Sequence, residues 1–189
     1  RKILAWGKGR QGDAGRRAFV MGGLTHILEV DDLHRASVVH TGCVTVPAAF
    51  ALASFDGERG RDVPGEVLLR AVLYGFEAAA RVGMAVGPAH YRIWHNTATC
   101  GPYGSAMTAA TILGLGDEQA MHALGNAGTQ SGGLWQFLAT GAMSKPLHAG
   151  SAAEAGVIAA ELAALGFTGA PAILEGPAGF FAGASHGRA

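Results

Sequence analysis

The chain has 189 residues, which is enough for one domain with a sizeable core. Its 14 basic and 14 acidic residues balance and are mixed along the sequence, so no basic surface for nucleic acid is expected. No apolar run reaches the ~18 residues of a membrane span, and two distant cysteines, Cys43 and Cys100, cannot form a disulfide framework or a zinc site by themselves. These features predict a cytoplasmic protein of tightly packed helices with no membrane or nucleic-acid partner. Because few residues are charged, they also predict an oligomer.

The first half of the sequence predicts three helices separated by polar segments. The basic segment over residues 1–17 lacks the apolar core and cleavage site of a signal peptide. Apolar residues at helical spacing predict a helix over about 14–30, and a polar loop then leads to a second helix over about 42–55. A third helix is predicted over about 64–86. Its inner face is expected to comprise Val67, Leu68, Val72, Leu73 and Phe76.

The second half also predicts helices. The tripeptide Cys100-Gly101-Pro102 is typical of a helix start, since proline is tolerated in a first turn. Asp117 is predicted to cap the next helix, and a loop rich in Gly, Ser and Thr follows over 128–145. The pattern Ser151-Ala-Ala-Glu154 indicates a capping box for a last helix that ends near Gly166. Because no strand alternation is present, the predicted fold class is all-α, a helical bundle-like domain.

Histidines and acidic residues are concentrated between residues 26 and 40. On a helix, His26 and Glu29 would share a face. These groups could bind a transition metal, or they could transfer protons and position a substrate. A di-iron site in a helical bundle needs Glu-x-x-His pairs from several helices, whereas this chain has one His-x-x-Glu, so we predict no metal. The candidate residues of this segment are Glu29, Asp31, Asp32, Arg35 and His40.

Two later segments add candidate residues. His95 is followed closely by Thr97 and a predicted helix start, and the free N–H groups and dipole of a helix N-terminus favour an anion. Lys145 stands among apolar neighbours, where a partly buried ammonium would pair with a substrate carboxylate, and His148 lies close by in sequence. The sequence lacks a nucleophile elbow, a phosphate-binding loop and a dinucleotide fingerprint, which disfavours serine-nucleophile, nucleotide and NAD chemistry.

In order and spacing, these segments resemble the MmgE/PrpD family, which includes 2-methylcitrate dehydratase, cis-aconitate decarboxylase and iminodisuccinate epimerase. The resemblance implies an all-helical domain that full-length members join to a smaller α+β lid domain, with the active site in the cleft between the two. We therefore expect one helical domain over 1–189, with the family's N-terminal helix and its lid domain missing. The resemblance rests on GRRAFVMGGLTHILEVDDLHRASVVHTGCVTVPAA, WHNTATCGPYGSAMTAATILGLGDEQAMHALGNAGTQSGGLWQF, MSKPLHAGSAAEAGVIAAELAALGFTG and ILEGPAGFF.

The resemblance also implies an activity. It implies a homodimeric enzyme that uses neither metal nor organic cofactor and transfers a proton next to a carboxylate of a small di- or tricarboxylate. We predict a lyase, either a dehydratase or a decarboxylase. The alternatives are an epimerase of an iminodisuccinate-like acid and a non-catalytic truncated dimerisation domain. Glu29, Leu33 and Thr41 stand where the family commonly has Asp, Thr and Pro, which favours a reaction other than plain cis-aconitate decarboxylation.

The candidate residues divide between proton transfer and substrate binding. His95 and His40 are the candidate acid and base, because imidazole titrates near neutral pH. Lys145 is expected to hold a substrate carboxylate whose charge grows during the reaction, and Asp32 or Glu29 to orient a histidine. The residues assigned to substrate binding are Asp31, Arg35, Thr97 and His148.

Overall fold

A computed structural model describes residues 13–58 and 61–184; residues 1–12, which hold most of the basic N-terminal segment, lie outside these ranges. Within them the chain is built of helices, without a strand, which confirms the all-α prediction. None of these helices is both long and apolar enough to cross a membrane. The elements are α1 (Ala14–His26), α2 (Gly42–Glu58), α3 (Gly65–Tyr91), α4 (Asn96–Ile112), α5 (Asp117–Gly128), a 3-10 helix (Trp135–Ala139), α6 (Ser144–Ala164) and α7 (Phe180–Ala184).

Helix α4 lies at the centre of the fold and packs against α2, α3, α5 and α6. It is buried on nearly every side, which is possible because most of its residues are small. Its contact with α6 is especially close. A Cβ at Gly156 of α6 would lie 2.3 Å from the backbone nitrogen of Ala106 and 2.4 Å from Cβ of Ser105. Only glycine therefore permits this approach between the two helices.

Two helix boundaries near the candidate site differ from the prediction. Helix α1 ends at His26, four residues earlier than expected, so the acidic residues after it lie in a loop. Helix α4 begins at Asn96 with His95 as its N-cap, and Pro102 lies inside the helix rather than in its first turn. The earlier start makes His95 the residue from which the central helix begins.

The capping-box prediction for the last long helix was wrong. Helix α6 begins at Ser144, so the Ser151–Glu154 pattern lies inside it. Pro146 fits this earlier start because its missing N–H falls in the first turn, where no partner is required. The predicted cap of α5 is also displaced by one residue, since Gly116 is the N-cap and Asp117 belongs to the first turn.

Helix α3 turns a different face to the core from the one predicted. Leu73, expected inside, is 59 % exposed, and the contact with α4 is made by smaller residues. A Cβ at Gly75 would lie 2.0 Å from Oγ1 of Thr108, so large side chains cannot occupy this face. The helix continues to Tyr91 through a kink at Gly87, where φ is 69°. Its buried residues are Ala71, Gly75, Ala79, Val82, Gly83, Val86 and His90.

Candidate active site

The loop over residues 27–41 joins α1 to α2 and has a strained backbone. Glu29 and Val38 adopt φ values of 53° and 52°, and the left-handed region is costly for a β-branched residue such as Val38. The carboxylate of Asp32 accepts hydrogen bonds from Oγ1 of Thr41 at 2.7 Å and from the backbone nitrogen of Gly42 at 2.9 Å. Asp32 thus fixes the start of α2 and, with it, the end of the loop.

The start of α4 holds this loop in place. The backbone nitrogen of His40 donates to Oγ1 of Thr97 at 3.0 Å, and Nδ2 of Asn96 donates to the carbonyl of Ser37 at 2.7 Å. The backbone nitrogen of His95 donates in turn to the carbonyl of Gly133 at 3.0 Å. These hydrogen bonds bring the loop over 27–41, which carries His40, close to His95 at the start of α4.

Four imidazoles meet at this junction. The ring of His26 lies edge-on to that of His40, with centroids 4.6 Å apart, and is stacked on that of His95 at 5.9 Å. His148, from α6, approaches from the other side, with its Nδ1 3.2 Å from Nδ1 of His95. One of these two nitrogens must carry a proton for the contact to be a hydrogen bond. The tautomer of one ring therefore constrains the tautomer of the other.

Burial keeps three of these rings neutral. Burial lowers the pKa of His95 to about 2, and the neighbouring His148, His26 and Lys145 act in the same direction. Burial also lowers the pKa of His26 and of His148. Because desolvation disfavours the charged form, these rings are neutral imidazoles at ordinary pH.

Asp31 supplies the negative charge of the cluster. Its Oδ2 lies 3.0 Å from Nδ1 of His26 and 3.4 Å from Nδ1 of His40. The Asp31 side chain is only 7 % exposed, so this charge is weakly screened by solvent. A positive charge formed on His40 would be stabilised at this position.

A cation stands at the edge of the cluster. The ammonium group of Lys145 is paired with the carboxylate of Glu29 and lies 5.8 Å from the centre of the Trp135 ring. The hydrogen bond from Lys145 lowers the pKa of Glu29, so the Glu29 carboxylate is ionised at neutral pH. The Trp135 ring also contacts that of His95, with centroids 4.6 Å apart. Lys145 is thus positioned by an acid and an aromatic ring next to a neutral imidazole.

The structure brings most of the sequence-predicted residues together, with three exceptions. Asp32 contacts Thr41 and Gly42, and Asp31 contacts the histidines in its place. Thr97 is buried and holds the backbone of His40. Arg35 is exposed, and none of the contacts among the described residues joins it to the histidines. The candidates that do meet are Glu29, Asp31, His40, His95, Lys145 and His148.

Sequence reasoning missed two residues of this site. His26 had been noticed as part of the acid–histidine cluster but had no assigned role, although its ring contacts two other imidazoles. Trp135 lies in the predicted loop rich in Gly, Ser and Thr and had no assigned role. The signal for His26 was its spacing of three residues from Glu29 at the end of an apolar helix. The signal for Trp135 was its large aromatic side chain in a segment otherwise rich in Gly, Ser and Thr.

His26, Asp31 and His40 are also the residues that could offer ligands to a metal. Their ligand atoms lie within 4.8 Å of one another. Ligand atoms around a tetrahedral zinc ion lie about 3.4 Å apart, as bond lengths of about 2.1 Å require. The shorter distances within the group, from Asp31 to the two rings, have the length and partners of hydrogen bonding and charge attraction.

A cavity of about 520 Å³ lies on another face of the fold, between α3, α4, α5 and the segment over 171–175. Its walls are mostly apolar and include Tyr74, Met107 and Met121. None of the clustered histidines lines it, so its size does not bear on the chemistry of the site.

Comparison with known proteins identifies similar sequences. The chain is 34 % identical over 168 residues to a cis-aconitate decarboxylase-like protein, oryM, of Aspergillus oryzae, covering 87 % of this chain and 35 % of that protein. It is 32 % identical over 155 residues to cis-aconitate decarboxylase of Aspergillus terreus, covering 81 % and 31 %. It is 34 % identical over 165 residues to human cis-aconitate decarboxylase, covering 86 % and 34 %. The chain thus spans about a third of the length of these curated relatives.

The family assignment rests on a longer match. The profile of the MmgE/PrpD N-terminal domain matches residues 2–189. This match includes the loop over 27–41, the start of α4 and the start of α6, which together carry the clustered side chains. The chain therefore belongs to the MmgE/PrpD family.

Proposed function

We propose that the protein is a cofactor-independent lyase that acts on a small di- or tricarboxylate by proton transfer at the carbon next to a carboxylate. One observation carries this proposal. A neutral imidazole, His95, lies in the same cluster as the His40–Asp31 pair and beside Lys145. A proton acceptor, a stabilised proton carrier and a fixed cation are the groups that such a reaction needs.

Lys145 has the properties of a carboxylate-binding group. In this structure its charge is balanced by Glu29, whose carboxylate is half exposed. A substrate carboxylate could replace Glu29 as the partner, or Glu29 could stay and keep the ammonium aimed at the substrate. Either way the cation meets negative charge that builds on the substrate carboxylate when the neighbouring carbon loses its proton.

The two central histidines suit different steps. His95 is neutral because it is buried, and the negative charge of a bound carboxylate would raise its pKa and so allow it to accept a proton. His40 has Asp31 3.4 Å from its Nδ1, so it can carry a proton to the substrate through its other nitrogen. In a dehydration His95 would take the proton from carbon, and His40 would give one to the departing hydroxyl, which leaves as water. In a decarboxylation the carbon–carboxylate bond breaks with release of CO₂, and His40 would return a proton to carbon.

The names of the relatives support decarboxylation as the first reaction to test. The three relatives described above are named as cis-aconitate decarboxylases or a protein like them. This runs against the expectation drawn from Glu29, Leu33 and Thr41. Assays of decarboxylation and dehydration therefore decide between the expectation from the relatives' names and the expectation from these three residues.

The experiment uses the enzyme expressed from its complete coding sequence. Purified protein is assayed with cis-aconitate, 2-methylcitrate and iminodisuccinate, and His95→Ala and Lys145→Ala are compared with the unaltered enzyme. Loss of a positioned base should lower kcat about 10²- to 10⁴-fold. Loss of the ammonium, which removes a charged hydrogen bond, should raise KM by roughly 10- to 100-fold.

Arg70→Ala serves as the matched control, since Arg70 is an exposed cation paired with Glu66 one turn away on α3. It should leave both kinetic constants unchanged. Near-normal turnover in both site variants would refute the assignment. Interconversion of iminodisuccinate enantiomers without a lyase product would favour the epimerase. No turnover and no binding of citrate-like acids would favour a non-catalytic scaffold.

A further inference from the structure

The carboxylate of Asp31 is shared unequally between two imidazoles. Both of its oxygens lie within hydrogen-bonding distance of Nδ1 of His26, at 3.0 and 3.1 Å. Its contact with Nδ1 of His40 is longer, at 3.4 Å, and is not a well-formed hydrogen bond. His26 therefore holds the Asp31 carboxylate by hydrogen bonding, in a position where it faces His40.

The direction of the bond between His26 and Asp31 follows from their chemistry. An ionised carboxylate only accepts, so Nδ1 of His26 must carry the proton and donate it. The ring is neutral at ordinary pH because burial lowers its pKa. Its Nε2 is consequently an acceptor, and it is buried without a hydrogen-bond partner among the described residues. His26 adds a donor to Asp31 without adding a positive charge.

The position of the His26 ring is fixed by its burial among packed helices, so it can hold another side chain in place. It is the last residue of α1, is 1 % exposed, and lies where α1 packs against α2 and α6. The other acids of the segment are engaged elsewhere, since Asp32 caps α2 and Glu29 pairs with Lys145. Asp31 is the remaining acid that can serve His40, and His26 is its strongest partner.

We propose that His26 is a positioning residue of this site, whose Nδ1–H fixes Asp31 against His40 and moderates the charge that His40 experiences. The inference rests on the proposed function only in taking His40 as a group that transfers a proton. It assigns a role to a side chain that reaches the reaction through Asp31. With the donor present, part of the carboxylate's charge is satisfied by His26, and His40 can both gain and release its proton.

Several other groups face this pair and must remain in place during any test. Their charges bear on Asp31 or on His40, so a variant at His26 is informative only if it leaves them unaltered. They are Glu29 and Asp32 from the same loop, Cys43 at the start of α2, His95 at the start of α4, and Lys145 and His148 from α6.

The test compares two variants of His26 in the enzyme expressed from its complete coding sequence. His26→Asn keeps an N–H near the position of Nδ1, whereas His26→Leu fills a similar volume without a donor. The ring nitrogens of His40 are titrated by NMR, with assignment from His40→Asn, and the pH profile of kcat is measured alongside. In His26→Leu the full charge of Asp31 should bear on His40, so its titration midpoint and the acid limb of the profile should both rise by about one pH unit. In His26→Asn both should stay near their original values.

A third variant keeps the proposal falsifiable if the leucine variant does not fold. Asp31→Asn preserves shape and removes the charge, so the His40 midpoint should move to lower pH. Equal midpoints in the leucine and asparagine variants of His26, or an unmoved midpoint in Asp31→Asn, would overturn the proposal. The NMR titration needs no substrate. A failure of the proposed function, which is the absence of turnover with every carboxylate, therefore remains distinguishable from a failure of this inference.

Discussion

Acid should destabilise the protein through His95. The ring is 2 % exposed, and burial lowers its pKa from 6.5 to about 2. The unfolded chain therefore binds a proton that the folded chain excludes, so stability is complete above pH 6.5 and falls as the pH drops below it. For one such proton the slope approaches about 1.4 kcal/mol per pH unit, which gives a loss of about 1.4 kcal/mol between pH 7.5 and 5.5. The lowered pKa values of His26 and His148 act in the same direction.

The measurement compares how steeply the free energy of unfolding changes with pH, instead of comparing absolute stabilities. Urea unfolding is followed by far-ultraviolet circular dichroism at several pH values between 4 and 7.5, for the unaltered protein and for His95→Asn. Tryptophan emission is a poor readout here, because the ring of Trp135 lies 4.6 Å from that of His95 and would respond to the substitution itself. Asparagine does not titrate, so the variant should lose about 1.4 kcal/mol per pH unit of slope between pH 6 and 4.

His34→Asn provides the control, since His34 is exposed and its ring contacts the nearby Ser37 hydroxyl instead of lying buried among the other imidazoles. Its unfolding should depend on pH as that of the unaltered protein does. Identical slopes for the unaltered protein and His95→Asn would refute the reasoning. They would also remove the physical basis for treating His95 as a neutral proton acceptor.

Two glycine substitutions test the packing that builds the site, with unfolding free energy as the readout for both. Gly42→Ala should lower the unfolding free energy by roughly 1–3 kcal/mol, because its Cβ would lie 2.1 Å from Oδ1 of Asp32 and would displace that cap. Gly57→Ala in the same helix is the control. Its Cβ meets nothing within 4 Å, so this substitution should be neutral or stabilising. Gly156→Ala should cost at least as much as Gly42→Ala, since its Cβ would meet the backbone of α4. Equal stability of the Gly42 and Gly57 variants, or an unaffected Gly156 variant, would contradict this account.

The sequence sufficed for the fold class but not for every packing face. Helical periodicity and the lack of strand alternation predicted an all-α chain, which is what the described residues form. The inner face of α3 was predicted wrongly, because the prediction assumed that large apolar residues such as Leu73 form the buried face of a helix. The core around α4 instead selects small residues, since helices approach most closely where Gly75 and its neighbours carry little side chain.

The site was only partly accessible to sequence reasoning for a similar reason. The residue types and their three segments could be identified, because histidines and acids are concentrated over residues 26–40, His95 precedes a helix, and Lys145 stands among apolar neighbours. The contacts that each acidic side chain makes could not be predicted, because Asp31 and Asp32 are adjacent in sequence but contact different parts of the fold. One faces the histidines and the other caps α2, and the backbone of the loop decides between them. That backbone includes the left-handed conformations of Glu29 and Val38, which no local pattern predicts.

The imidazole cluster joins positions that are far apart along the chain. His26 closes the first described helix and His148 belongs to α6, so the cluster can form only after most of the intervening helices have packed. Contacts between such distant positions form late, because the loop between them must first be closed. A compact intermediate with all its helices but loose packing would consequently lack the site altogether. The 3.2 Å contact between His95 and His148 therefore reports whether the helices have reached their native packing, because ring signals that depend on this contact require it.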